Sequence, residues 1–188
     1  MRGAKNVRTP LGARVSINRF QSSRGQIALE LAYSNMNKHN RKECAIFFLM
    51  NLYLDSSALA KPYIAEVGHE AVTNAIKGNQ VAVCIIALTE LGSAFARRER
   101  EGYLTAAERR QALAKLEQDW GKFISIDIDY TLSRIAASMA QKHGLKALDA
   151  LHLAAAAELH RTMGNTEFLA FDKQLMRAAA RELPVYKL

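Results

Sequence analysis

From Met50 onward the chain alternates short apolar runs with longer stretches of helical character, and this alternation restricts the fold more than any other feature. Residues 50–54, 81–87, 123–128 and 168–171 read as strands. Residues 81–87 (VAVCIIA) form a continuous apolar run rich in β-branched side chains, as expected of a strand covered on both faces. Residues 57–63, 68–77, 89–100, 105–120, 131–143, 147–161 and 173–181 read as helices, and 185–187 as a last short strand. Local signals support several boundaries. Thr105 with Glu108 three residues on makes a capping box, and Gly78 and Gly144 stand where helices stop. Strands separated by helices predict βαβ units, and hence a mostly parallel α/β sheet with helices on both faces.

The charge is unevenly spread. Of the net +8, residues 1–49 carry +7, with nine Lys or Arg against two acids, and residues 50–188 carry only +1. A basic isoelectric point is therefore no sign that the domain binds nucleic acid. Residues 1–49 lack sustained periodicity. They are expected to be a basic disordered extension or sequence upstream of a true start at Met50; a nucleic-acid-binding arm and a transit peptide are the other readings. No apolar run approaches the roughly 18 residues that a membrane helix needs, so no membrane association is expected. Two cysteines, Cys44 and Cys84, make no disulfide framework, which fits a reducing, cytoplasmic setting.

Four acids stand where such a fold gathers ligands, beyond the carboxyl ends of the strands. Asp55 ends the run Leu52-Tyr53-Leu54 and is followed by Ser56 and Ser57; it would equally serve as a helix N-cap. Glu90 lies early in the helix after the second strand, where a helix dipole alone would also favour an acid. Asp149 sits within LDALHLAAAA, where an isolated carboxylate is costly unless paired or metal-bound. A salt bridge to Lys146 is the rival explanation. His152, one turn on, reads as a hydrogen-bonded core histidine with a lesser prospect of facing the same cleft. Asp172 follows the last long strand and suits both a cap and a fourth acid. Asp127 and Asp129 read as capping or surface residues. Acids brought together this way repel, and such clusters usually hold a hard cation. The chain has no Gly-rich phosphate loop, no GxSxG and no HExxH, and its histidines lack zinc-ligand spacing.

Four segments in order carry a family resemblance. MNLYLDSSALAKPY (50–63), IIALTELGSAFARR (85–98), LKALDALHLAAAAEL (145–159) and FLAFDKQLMRAA (168–179) resemble the acidic motifs of PIN-domain proteins, especially the VapC-like toxic ribonucleases of type II toxin–antitoxin pairs. The resemblance covers about residues 50–188. It implies a three-layer α/β/α sandwich on a mostly parallel sheet, and metal-dependent endoribonuclease activity. Asp55, Glu90, Asp149 and Asp172 fill its catalytic and metal-binding acidic positions, and Ser57 its small hydroxyl position. It further implies a cognate antitoxin and a homodimer.

Carboxylate oxygens and water suit Mg²⁺ or Mn²⁺, with Asp55, Asp149 and Glu90 the first choices as direct ligands. Since an acidic pocket repels an RNA backbone, basic residues must border it; Lys61, Arg97, Arg98 and Lys173 are the candidates. Two alternatives fit the same residues: a non-catalytic PIN module acting as an interaction or scaffold protein, and a housekeeping nuclease of RNA maturation that has no antitoxin.

Overall fold

The computed structural model describes residues 50–188 and, within the first 49, the backbone of two strands, β1 (Lys5–Arg8) and β2 (Arg14–Ile17). The expectations for the rest of residues 1–49 lie outside the described residues. After these strands come β3 (Asn51–Leu54), α1 (Ser56–Leu59), a 3₁₀ turn (Lys61–Tyr63), α2 (His69–Ile76) and β4 (Gln80–Cys84). Then follow α3 (Ile86–Arg100), α4 (Ala106–Trp120), β5 (Ile124–Ile126), α5 (Tyr130–His143) and α6 (Ala147–Met163). The chain closes with β6 (Thr166–Leu169) and α7 (Lys173–Ala179).

The sheet order is β1-β2-β5-β4-β3-β6. The four strands β5, β4, β3 and β6 are mutually parallel; at the β5 edge β2 pairs antiparallel to β5, and β1 antiparallel to β2. Side chains alternate across each strand and feed two cores. Leu52, Leu54, Val81 and Val83 point to the face covered by α1 to α4, where they meet Leu59, Leu91, Phe95 and Leu116. Tyr53, Ala82, Cys84 and Phe168 point the other way, against Leu132, Leu153, Leu159 and Leu175 of α5 to α7. The three layers and the mostly parallel sheet expected from the alternation are therefore present.

Several boundaries differ from the sequence reading: the helix over 57–63 is α1 followed by the 3₁₀ turn, the strand over 123–128 shortens to Ile124–Ile126, and that over 168–171 shifts to Thr166–Leu169. The second strand stops at Cys84 rather than 87, and the helix begins at Ile86. Ala87, Leu91 and Phe95, spaced at helical intervals, form the buried stripe of α3, and that burial outweighs the β preference of Ile85 and Ile86. At the C-terminus, 185–187 is reduced to one parallel bridge between Val185 and Phe168. Pro184 has no N–H to extend the ladder, though its carbonyl accepts from Phe168 N–H at 3.0 Å. The capping box at Thr105 and the left-handed Gly144 (φ 65°) stand as expected.

The topology also creates a crevice. The neighbouring strands β3 and β6 send their chains to opposite faces of the sheet, β3 into α1 and β6 into α7. Such a switch point opens at the carboxyl ends of the two strands, where Asp55 and Asp172 follow.

Candidate functional site

Asp55 is 6% exposed. It caps α1: its Oδ1 accepts from the Ala58 N–H at 2.9 Å, and Ser57 Oγ donates to the same carboxylate at 2.8 Å. Burial raises its carboxyl above the usual aspartate range, with His152 and these hydrogen bonds opposing the rise. Ser57 Oγ also accepts the Phe171 N–H at 2.8 Å, and the Asp55 N–H donates to Leu169 O at 3.2 Å. One hydroxyl thus joins the loop after β3 to the loop after β6 that carries Asp172. Asp172 caps α7, with Oδ1 accepting from the Leu175 N–H at 2.7 Å. Both acids are caps where the crevice opens, and a capping role leaves one carboxylate oxygen of Asp172 without a capping bond.

Glu90 stands in the second turn of α3, not the first, because the helix begins three residues earlier than the sequence indicated. A dipole contact is therefore a poor reason for this acid. Its Oε2 lies 2.7 Å from His152 Nε2 and accepts a hydrogen bond from Ser56 Oγ. Burial would raise the Glu90 carboxyl, but the hydrogen bonds from His152 and Ser56 outweigh it and hold it below the usual glutamate range. His152 Nδ1 lies 3.1 Å from Tyr53 Oη. His152 is 2% exposed, so it is both the hydrogen-bonded core histidine and a neighbour of the site.

Asp149 lies in the first turn of α6 and is partly exposed, rather than set inside a helix buried all round. Asp149 therefore escapes the full desolvation that the buried remainder of α6 would impose on a carboxylate. Among the described residues no hydrogen bond or salt bridge engages its carboxylate; Lys146 acts on it only as a nearby charge. Burial raises its carboxyl first, then repulsion from Asp172, with Glu90 adding to it. Asp172 and Glu90 thus each stand close enough to Asp149 for their charge to act on it. Asp55 and Glu90 likewise both act on the buried Tyr53.

Tyr53 and Ser56 are neighbours of these acids that the sequence reading missed, whereas for His152 it named both a core role and the cleft. Tyr53 sits within an apolar strand and passes for core. The signal for His152 was its three-residue spacing from Asp149, one turn of helix.

The oxygen-only donor set fits a hard divalent cation in kind. As the side chains stand, no group of three or more His, Cys, Asp or Glu among the described residues closes around a single point. Asp55 is engaged by Ala58 and Ser57, and both hydrogen bonds to Glu90 fall on Oε2. Of the basic candidates, Lys61 and Arg98 are tied to Glu66, at 3.0 and 2.5 Å, whereas Lys173 is exposed and in no ion pair among the described residues. Asp129 caps α5 through the Leu132 N–H, as expected. Cys84 is buried in the core, its thiol pushed up to about 11 by burial. No helix among the described residues is long and apolar enough to cross a membrane.

Comparison with known proteins bears on the family and the fold. The PIN domain family model matches residues 52–181. Ribonuclease VapC45 and ribonuclease VapC49 from two strains of Mycobacterium tuberculosis are each 31% identical over 110 residues, spanning 56% of this chain and 74% of theirs. Among solved structures, FitAcB from Neisseria gonorrhoeae aligns with a TM-score of 0.55 at 20% identity, over 72% of this chain and 96% of that one. VapC20 of M. tuberculosis aligns with a TM-score of 0.51 at 19% identity, over 72% and 99%. At these identities the structural matches speak for the fold alone.

Proposed function

This chain belongs to the PIN-domain family, and from that premise we propose that it is a VapC-like endoribonuclease, the toxin of a toxin–antitoxin pair. The observation that supports the reading is that acids from four separate segments stand at or near the carboxyl ends of the parallel strands, with Asp149 feeling both Asp172 and Glu90. A fold has no structural need for a partnerless carboxylate such as Asp149 beside other acids, and the repulsion it feels fits a site that accepts a cation.

In this reading Asp55, Asp149, Glu90 and Asp172 hold Mg²⁺ or Mn²⁺. When bound, the ion supplies a water of lowered pKa and offsets charge at the scissile phosphate. Ser57 fixes the rotamer of Asp55 and stitches it to the Asp172 loop. His152 and Ser56 hold Glu90 ionised, and Tyr53 orients His152. RNA is the substrate, a cognate antitoxin is the protein partner, and a homodimer is the assembly. The names of the relatives support the ribonuclease class, and the intact set of acids favours a working enzyme over a scaffold module.

The test is to incubate the full chain and its Asp149→Asn variant with total RNA in Mg²⁺ or Mn²⁺, with an EDTA control, and to map new 5′ ends. Discrete cuts that need metal and vanish in the variant are expected. A folded wild-type chain that cuts no RNA would sink the proposal.

A further inference from the structure

Phe171 is a phenyl ring at the rim of the acidic edge, 38% exposed, yet fixed from several sides. Its backbone N–H donates to Ser57 Oγ at 2.8 Å, and that hydroxyl donates onward to Asp55. Lys61 Nζ stands 4.4 Å from the ring centroid. Lys61 is itself pinned by Glu66 at 3.0 Å, and Glu66 is pinned by Arg98 at 2.5 Å. Gly68, at φ 93°, yields its side-chain space to the ring: a Cβ there would come within 2.7 Å of Phe171 Cζ. A loop aromatic that served only to cover core would be buried and would not need this many supports.

The geometry points to Phe171 as a stacking platform for one unpaired base of the RNA, beside the phosphodiester on which the acids act; the inference rests on the ribonuclease reading above. Proteins recognise single-stranded RNA chiefly by stacking splayed bases on aromatic rings, and a ring already locked in place loses little entropy when a base lands on it. Placement favours RNA over a protein side chain. Phe171 is one residue from Asp172 and one hydroxyl bridge from Asp55, so a base on the ring carries its own phosphate to the acids. Lys173, exposed and unpaired among the described residues, follows two positions on and supplies the positive charge that the phosphate backbone seeks. The locked cation against the ring also offsets the repulsion an acidic site exerts on the incoming strand.

The experiment has two arms, both on the full chain. In the first, cleavage of a mapped RNA site is measured for wild type, Phe171→Leu and Phe171→Trp, with thermal melting to confirm folding. Removing one stacked base contact is expected to raise KM by about 5- to 150-fold, with a smaller change in kcat. Phe171→Leu is also expected to relax base choice at one position next to the cut, and Phe171→Trp to restore both. In the second arm, short single-stranded RNAs spanning that site carry 2-aminopurine at each position in turn, and Asp149→Asn protein is added. Quenching at a single position is expected, lost when Phe171→Leu is combined with Asp149→Asn. A wild-type chain that cuts no RNA removes the ribonuclease reading and the platform together. Wild-type cleavage with unchanged KM and base choice in a folded Phe171→Leu variant removes the platform alone and assigns the ring to a protein contact.

Discussion

His152 holds Glu90 through Nε2 at 2.7 Å, and the direction of that hydrogen bond is set from behind by Tyr53. Tyr53 is fully buried, and burial keeps its phenol protonated far above the neutral range. The phenolic O–H therefore donates to Nδ1, which leaves the ring proton on Nε2, pointing at the Glu90 carboxylate. A core residue on β3 thus controls the state of an acid on α3, through a histidine on α6.

Tyr53→Phe removes that control. Nδ1 loses its donor, and the tautomer that turns a lone pair toward Glu90 becomes accessible. The expected cost is about 1 kcal/mol in urea unfolding at neutral pH. Without the oriented donor, burial dominates and the Glu90 carboxyl titrates at higher pH. The sign follows from linkage. Glu90 in the folded wild type lies below its unfolded value, so its contribution is present above about pH 4.3 and is lost as pH falls through the folded value. The stability gap between variant and wild type should therefore be full at neutral pH and shrink in acid. Side-chain carboxyl NMR of Glu90 reads the shift directly, and an unchanged titration would show that Tyr53 plays no orienting part.

Asp149→Asn is expected to abolish RNA cleavage while leaving the fold slightly more stable. The Asp149 carboxyl is raised by burial and then by Asp172, so its charged form is disfavoured in the folded state. A raised acid costs stability above its unfolded pKa, and the cost disappears as pH falls and the group is protonated. Because the side chain is largely solvent-screened, the gain at neutral pH is at most about 1 kcal/mol, or about 2–4 °C in Tm. Melting wild type and variant at neutral pH and near pH 3.5 checks this. A variant that melts lower at neutral pH would mean that Asp149 is a structural partner rather than a strained site residue.

The layering and the crevice were legible in the sequence because they depend on period. The apolar runs at 50–54 and 168–171 and the helices between them dictate a parallel sheet, and a parallel sheet dictates where Asp55 and Asp172 emerge. The end of β4 was not legible. Ile85 and Ile86 prefer strand locally, and only the buried stripe of Ala87, Leu91 and Phe95 against the sheet turns them into helix. That error of three residues also misplaced Glu90 within its helix. Tyr53 and Ser56 were missed for a different reason. Their roles arise from contacts across 99 and 34 residues of sequence, which no local pattern encodes. Strands β1 and β2 likewise lie in a stretch with no readable alternation.

Gly68→Ala should damage the Phe171 seat. The position has φ 93°, where an L side chain is strained, and the new Cβ would press on the ring at 2.7 Å. A loss of about 1–3 kcal/mol in urea unfolding is expected. Lys61 loses the ring it rests on, so RNA affinity should fall together with stability. A fully stable Gly68→Ala protein would show that the ring is free to move and that its fixed orientation is not built into the fold.

A divalent cation should stabilise the folded chain even when no RNA is present. Four acids share one edge, and Asp149 carries unrelieved repulsion from Asp172 and Glu90, so an ion bound there removes a cost that exists only in the native state. Binding to the native state alone adds about 2.7 kcal/mol at a hundredfold excess over Kd, a rise in Tm of several degrees. Because the donors do not yet converge, part of that energy must turn Glu90 away from His152 or recruit its second oxygen, so the observed rise should be smaller for wild type than for a preformed site. His152→Ala frees Glu90 from that bond and should bind Mn²⁺ more tightly than wild type while being less stable without metal. Melting curves with Mn²⁺, with Mg²⁺ and with EDTA, for wild type, His152→Ala and Asp149→Asn, separate these effects. A metal-induced rise that survives intact in Asp149→Asn would place the ion away from this edge and remove the metal reading of the four acids.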